Sequence, residues 1–193
     1  MVGAAPSFSE VHILRTLLIL KRKQTGRKNL VKELSIGEGS VRTILKRLDK
    51  ENLIVSEKLG HRLSRKGNSI VEGYLRKFTM PVRFDSGDVE LFSRKTGKSL
   101  VIVHNSADRI RFGVEERDTA LMAGSEGALI ITFMNGKLRL PVSDIKLSDF
   151  PETVKKLKEM DLKERDTVII SFGGTYSDAE NGALAIAMKL SEI

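Results

Sequence analysis

The sequence predicts an α+β protein in two domains: a mainly helical N-terminal domain over residues 1–80, then a small mixed α/β domain over residues 81–193. Three observations carry this. Hydrophobic residues recur at helical spacing through most of the first 78 residues, and beyond them compact β runs alternate with helical stretches. Thr79-Met80-Pro81 interrupts the helical pattern, because a residue before proline is pushed out of the helical region. Charge changes at the same place: residues 1–80 hold 17 Lys/Arg against 7 Asp/Glu, a balance of +10, whereas residues 81–193 hold 16 against 18, a balance of −2. Any affinity for polyanions therefore belongs to the first domain.

The 193 residues include no Cys and only three His (His12, His61, His104), which excludes disulfides, thiolate nucleophiles and cysteine-ligated metal sites and makes an all-histidine cage implausible. No cofactor or metal is expected. The lack of Cys, a single Gln (Gln24) and abundant Lys, Arg and Glu suit a thermophilic protein. The most apolar early stretch, Val11–Leu20, is too short to span a bilayer and carries His12 and Arg15, so a cytoplasmic protein without membrane contact is expected.

Within the first domain, Phe8–Lys23 reads as a helix that Ser7 or Ser9 can cap, with Val11, Leu14, Leu17 and Leu18 at helical spacing. A short helix follows over about Lys28–Leu34, then the tight segment Ser35-Ile36-Gly37-Glu38-Gly39. Ser40 is placed as the cap of a third helix, in which Val41, Ile44, Leu45 and Leu48 form an apolar stripe. Opposite that stripe stand Arg42, Thr43, Lys46, Arg47 and Lys50, with no acid among them. Four cations and a hydroxyl on one helical face suit phosphates and base edges. Next come a short β run over Leu53–Lys58, a turn at Leu59-Gly60 and a returning strand over His61–Ser64. Ser64 caps a fourth helix over about Arg65–Phe78. Glu38 reads as a capping residue, and His61 as a polar side chain near the hairpin tip.

The residues Glu33-Leu34-Ser35-Ile36, Ser40 through Leu48, Asn52-Leu53-Ile54-Val55 and Gly60-His61-Arg62-Leu63-Ser64-Arg65-Lys66-Gly67 give residues 8–78 a pattern that resembles winged helix-turn-helix DNA-binding domains. The resemblance implies that the third helix enters the major groove and that the hairpin tip touches backbone or minor groove. The candidate DNA-binding residues are Ser40, Arg42, Thr43, Lys46, Arg47, Lys50, Lys58, His61 and Arg62.

In the second domain, Ser99–His104 and Thr167–Phe172 read as buried strands. Gly127–Phe133 and Lys137–Leu140 read as a hairpin turned at Asn135-Gly136. Val114–Ala123, Pro151–Met160 and Ser177–Leu190 read as helices, and the alternation suggests a mixed sheet. Arg94–Ser99 ends like a phosphate-binding loop but has Phe92 where glycine is required, and a strand follows it in place of a helix, so nucleotide hydrolysis there is rejected. Glu116-Arg117-Asp118-Thr119 recurs as Glu164-Arg165-Asp166-Thr167, and coincidence explains it better than duplication. Gly173-Gly174-Thr175-Tyr176-Ser177-Asp178 joins a buried strand to a helix, a place where α/β sheets hold ligands, although Ser177 and Glu180 have capping-box spacing. Gly173, Gly174, Thr175, Ser177, Asp178, His104 and Arg117 are the candidate ligand-binding residues. No catalytic constellation can be assembled.

As a whole the chain resembles archaeal two-domain transcription regulators. That implies double-stranded DNA as partner and a second domain that senses a small-molecule effector, makes the chain a homodimer, or does both; without a catalytic constellation, no enzymatic activity is expected. Two rivals remain: an enzyme with a catalytic C-terminal domain and a regulatory winged helix, and a non-specific nucleic-acid or protein-interaction module.

Overall fold

The computed structural model describes residues 8–85, 97–141 and 146–191. Among them are seven α-helices and two sheets, an α+β protein with a helical unit followed by a strand-rich one. The chain divides into compact units at Met1–Leu75 and Arg76–Ile193. No helix among the described residues is long and apolar enough to cross a membrane.

In the first unit, α1 (Glu10–Arg22) begins at Ser9. The Ser9 N–H donates to His12 Nδ1 at 3.1 Å, so an imidazole fills the place usually taken by Glu in a capping box. Burial, and then the nearby Arg15 guanidinium, hold the His12 pKa below the ordinary histidine value, which preserves the neutral acceptor. Buried Arg15 donates to the Glu33 carbonyl at 3.0 Å and so ties α1 to α2 (Arg27–Leu34).

The third helix, α3 (Glu38–Lys50), starts three residues earlier than expected. Its N-cap is Gly37 and Ser40 lies inside the first turn, because the glycines of the preceding segment let the chain enter the helix sooner. Val41, Ile44, Leu45 and Leu48 are buried as the stripe required.

The hairpin pairs β1 (Ile54–Glu57) with β2 (Gly60–Leu63), from Ile54 against Leu63 to Glu57 against Gly60. Its turn is therefore Lys58-Leu59, one residue earlier than expected. Gly60 has φ 126°, and a Cβ there would lie 2.6 Å from the Thr25 carbonyl carbon. That close approach lets Thr25 and His61 exchange backbone hydrogen bonds of 3.0 and 2.9 Å, seating the hairpin on the α1–α2 connection.

Ser64 caps α4 (Arg65–Leu75) as expected, accepting from the Gly67 N–H at 3.0 Å. The helix is shorter than expected. Phe78 is fully buried in the second unit, bridged to Val103, and the Thr79 N–H donates to the Ile102 carbonyl. Past Leu75 a neighbouring strand offers those backbone groups their partners.

The second unit is built on a five-stranded sheet in the order β3 (Val82–Arg83), β4 (Gly97–Val103), β7 (Thr167–Gly173), β5 (Gly127–Met134), β6 (Lys137–Arg139). Every pairing among the described residues is antiparallel, where alternation of strands and helices suggested a mixed sheet. The reason is insertion: β4 and β5 run in the same direction, as a strand–helix–strand unit should, but β7 lies between them and is antiparallel to both. Asn135 and Gly136 form the expected turn, each with positive φ.

Leu100, Ile102, Leu129, Ile131, Val168, Ile170 and Phe172 lie on one sheet face with Leu157 of α6 (Pro151–Lys158). On the other face α7 (Tyr176–Leu190) packs over β4 and β7, beside α5 (Val114–Met122). The approach of α7 is close enough that a Cβ on Gly182 would lie 2.4 Å from Ser171 Oγ. Of the two Glu-Arg-Asp-Thr segments, the first lies within α5 and the second enters β7, so the copies share no structure. Residues 94–96 of the rejected phosphate-loop pattern lie outside the described residues, and Gly97–Ser99 begin β4.

Candidate nucleic-acid interface

The apolar stripe of α3 leaves Arg42, Thr43, Lys46 and Lys50 exposed on the opposite side. Arg42 and Lys46 open onto a groove of about 630 Å³. Its walls are Gly26, Arg27, Lys28 and Asn29 from the start of α2, Arg42, Leu45, Lys46 and Asp49 from α3, and Ser56 and His61 from the hairpin. Four cations thus face one carboxylate.

The start of α2 adds to that field. Its N-cap is Gly26, no side chain among the described residues caps it, and its own first turn holds no acid. Glu38 lies 3.1 Å from Arg27 Nη2 and 3.5 Å from Arg42 Nη2, holding two guanidinium groups at the groove. It is the first residue of α3, and its role here is orientation as well as favourable charge at a helix start.

The other candidates separate by environment. Thr43 turns its hydroxyl back to the Gly39 carbonyl at 3.0 Å. Arg47 does not join the outward face. Its Nη1 and Nη2 lie 2.6 and 3.3 Å from the Glu10 carboxylate of α1, and its Nε donates to Glu51 at 3.1 Å. Donating to the Glu10 and Glu51 carboxylates raises its pKa further, so this side chain fastens α3 to α1. Ser40 is half-buried in the first turn. Lys58 is exposed at the hairpin turn. Arg62 donates to Glu57 at 2.7 Å, which lowers the Glu57 pKa, and Gln24 also donates to that carboxylate at 3.1 Å. His61 shares a 2.9 Å hydrogen bond with the Ser56 hydroxyl, and burial lowers its pKa.

The groove therefore unites Arg42, Lys46 and His61 with Arg27, Lys28 and Asn29, which the helical pattern alone does not single out. A signal was available: Gly26 followed by Arg-Lys-Asn marks a helix start without an acid.

The second-unit candidates do not converge. Gly173 pairs with Gly97 at the start of β4, whereas His104 follows its last residue, Val103. Six strand residues, about 20 Å, separate the two ends. At Gly173–Asp178 the helix start is closed: the Thr175 N–H donates to Asp178 Oδ2 at 3.0 Å and the Asp178 N–H to Thr175 Oγ1 at 3.2 Å. Thr175 and Asp178 form the capping box, in place of Ser177 and Glu180, because the helix begins at Tyr176. Gly174 is exposed beside it, Ser177 is buried, and a Cβ on Gly97 would meet the Thr175 carbonyl group at 2.2 Å.

His104 has the orienting acid that the sequence did not reveal: Nδ1 lies 3.1 Å from Oδ1 of Asp166, which is 1% exposed. The nearby Ser106 hydroxyl lies 3.0 Å from the Val103 carbonyl and 2.8 Å from the Thr167 hydroxyl, within the fold. Arg117 is exposed on α5. A separate cavity of about 630 Å³ lies between the β5–β6 hairpin and α6, lined by Phe133, Leu138, Val154, Leu157, Met160 and Leu162, with Lys137 and Lys158 also contributing. Among the described residues no cluster of three or more His, Asp or Glu can hold a metal ion.

With this geometry in hand, comparison with known proteins places the two units separately. Residues 11–69 match the family described as PH0730-like, N-terminal domain, and residues 95–190 match the Domain of unknown function DUF4443. No functionally curated protein matches the chain. Among solved structures, the hypothetical protein PH0730 from Pyrococcus horikoshii OT3 is similar over 96% of this chain and 94% of its own, with 27% identity and a TM-score of 0.77. HmgR of Pseudomonas aeruginosa aligns over 94% of each chain at 10% identity with a TM-score of 0.31. The chain is thus a two-unit protein similar throughout to a hypothetical archaeal protein.

Proposed function

We propose that this chain is a cytoplasmic transcription regulator that binds double-stranded DNA through its first unit, a winged helix in which α3 enters the major groove and the β1–β2 hairpin is the wing. The observation that carries the reading is the groove where Arg27, Lys28, Arg42 and Lys46 gather at the uncapped start of α2, beside the exposed face of α3. A phosphate run along that groove meets Lys28 and Lys46, the guanidinium groups of Arg27 and Arg42 that Glu38 holds in place, and the start of α2. Lys50 and Lys58 extend the contact, and Thr43, its hydroxyl proton given to the Gly39 carbonyl, offers a base edge an acceptor oxygen.

The second unit acts in this reading as a sensor, not a catalyst. The self-satisfied start of α7 does not favour an effector site there. The cavity between the β5–β6 hairpin and α6 suits one better: it is mostly apolar, with two lysines to meet a carboxylate.

The test is duplex binding by the full chain, followed by fluorescence anisotropy across a salt series, after selection of bound DNA from genomic fragments. Arg42→Ala/Lys46→Ala should weaken binding about tenfold or more and reduce the salt slope by about 0.9 for each phosphate no longer neutralised. Arg47→Ala should weaken it much less, since that fork is held by Glu10 and Glu51. Equal affinity and salt slope for selected and scrambled duplexes would reduce the protein to a non-specific binder. No measurable affinity would end the reading.

A further inference from the structure

The second unit leaves one apolar face uncovered. Phe112, Val114, Leu121 and Met122 are 68, 56, 42 and 91% exposed, and among the described residues the only other large hydrophobics so placed are Leu59 and Val82. All four belong to α5 or the residues just before it. Single exposed apolar residues are ordinary, but four on one short helix and its entry form a patch of the kind that partners cover.

The pattern around the helix identifies the partner. At 100° per residue Glu116 and Ala120 mark the buried side, as their burial confirms. Val114 and Leu121, seven residues apart, share one line on the exposed side, between Arg117 and Asp118. Arg117 flanks this seam on one edge, with Asp118 and then Met122 on the other. Neither Arg117 nor Asp118 has an ion-pair partner among the described residues.

Two such helices side by side about a two-fold axis parallel to both bring opposite edges together. Val114 and Leu121 then meet their own copies, and each Arg117 faces Asp118 of the partner subunit. An antiparallel pair would set Arg117 against Arg117 of the partner subunit, and Asp118 against its own copy. The edge charges thus select one arrangement of one partner, in the way flanking charges orient coiled coils.

We propose that the exposed face of α5 docks a second copy of this chain, the two helices parallel, with a Val114/Leu121 seam closed by reciprocal Arg117–Asp118 ion pairs. This does not rest on the DNA-binding reading, because assembly is measured without nucleic acid.

The experiment is sedimentation equilibrium on the full chain, with circular dichroism reporting that each variant is folded. The wild-type protein should be a dimer, and Leu121→Glu a folded monomer. Arg117→Asp should weaken the dimer about tenfold, because two symmetric pairs are replaced by like charges set side by side, and Arg117→Asp/Asp118→Arg should restore it. If Leu121→Glu does not fold, the charge variants carry the test alone. Because the chain has no Cys, Leu121→Cys gives a second readout: mild oxidation should cross-link it to its own copy. A monomeric wild-type protein, a dimer indifferent to Leu121→Glu and Arg117→Asp, or no rescue by the charge exchange would each overturn the proposal. A dimer that fails to bind DNA would leave it standing and sink only the regulatory reading.

Discussion

Two helix starts in this molecule carry a similar sequence signal and end in opposite states. At α2, Gly26 precedes Arg27-Lys28, no side chain caps the first turn, and the basic groups line an open groove. At α7, Gly173-Gly174 precede Thr175 and Asp178, whose side chains take up the backbone N–H groups reciprocally, while β4 closes in through Gly97. Glycines before a helix therefore announce a binding place only when no neighbouring side chain satisfies the amides. At α2 the glycine leaves space and positive charge. At α7 the glycines serve close packing.

The contrast can be broken most severely at Gly97. A Cβ there would lie 2.2 Å from the carbon and oxygen of the Thr175 carbonyl, both rigid backbone. Gly97→Ala should cost the second unit about 3 kcal/mol in denaturant unfolding. Gly39→Ala in the first turn of α3, with nothing within 4 Å of the new methyl, should be neutral or stabilising by about 0.5 kcal/mol. Equal effects at the two glycines would erase the distinction between a glycine that serves close packing at a helix start and one that lies open.

A smaller effect sharpens it. Thr175→Ala removes the cap of α7 and should destabilise the second unit by about 1 kcal/mol, leaving duplex affinity unchanged. A change in duplex affinity with stability preserved would mean that the α7 start reaches nucleic acid after all.

The smallest effect concerns a third helix start. The α1 start is capped by a neutral imidazole, and the His12 pKa is depressed below 6.5, chiefly by burial. The unfolded chain takes up that proton more readily, so the stability His12 contributes is complete above about pH 6.5 and is lost as pH falls through the lower folded value. His61 acts in the same direction. The melting temperature of the first unit should fall between neutral and mildly acidic pH, and His12→Gln should flatten that dependence. A rise on acidification would contradict the assigned acceptor role.

Much of this fold was legible in the sequence, for identifiable reasons. The four helices of the first unit and the hairpin follow from strong periodicity and from turn residues such as Gly60. The Asn135-Gly136 hairpin and the strands around Val101 and Ile169 were equally plain. Pairing order was not legible, because nothing local tells β4 that its neighbour is β7 and not β5. At the candidate interface, Lys46 and the two flanking arginines, Arg42 and Arg47, followed from the wheel of α3, but only the tertiary structure brings Glu10 to Arg47. Arg27 and Lys28 belong to a groove built from three elements, which no single window contains. Asp166 reaches His104 from 62 residues away for the same reason.

The central place of β7 has a consequence during synthesis. The first unit is complete once residue 75 has left the ribosome and can fold early. The second unit cannot, because β4 and β5 wait for a strand that begins at Thr167. Until it arrives, each offers a bare, largely apolar edge to any other nascent chain. The sheet can close only when this last strand inserts, a topology that favours late folding of the second unit.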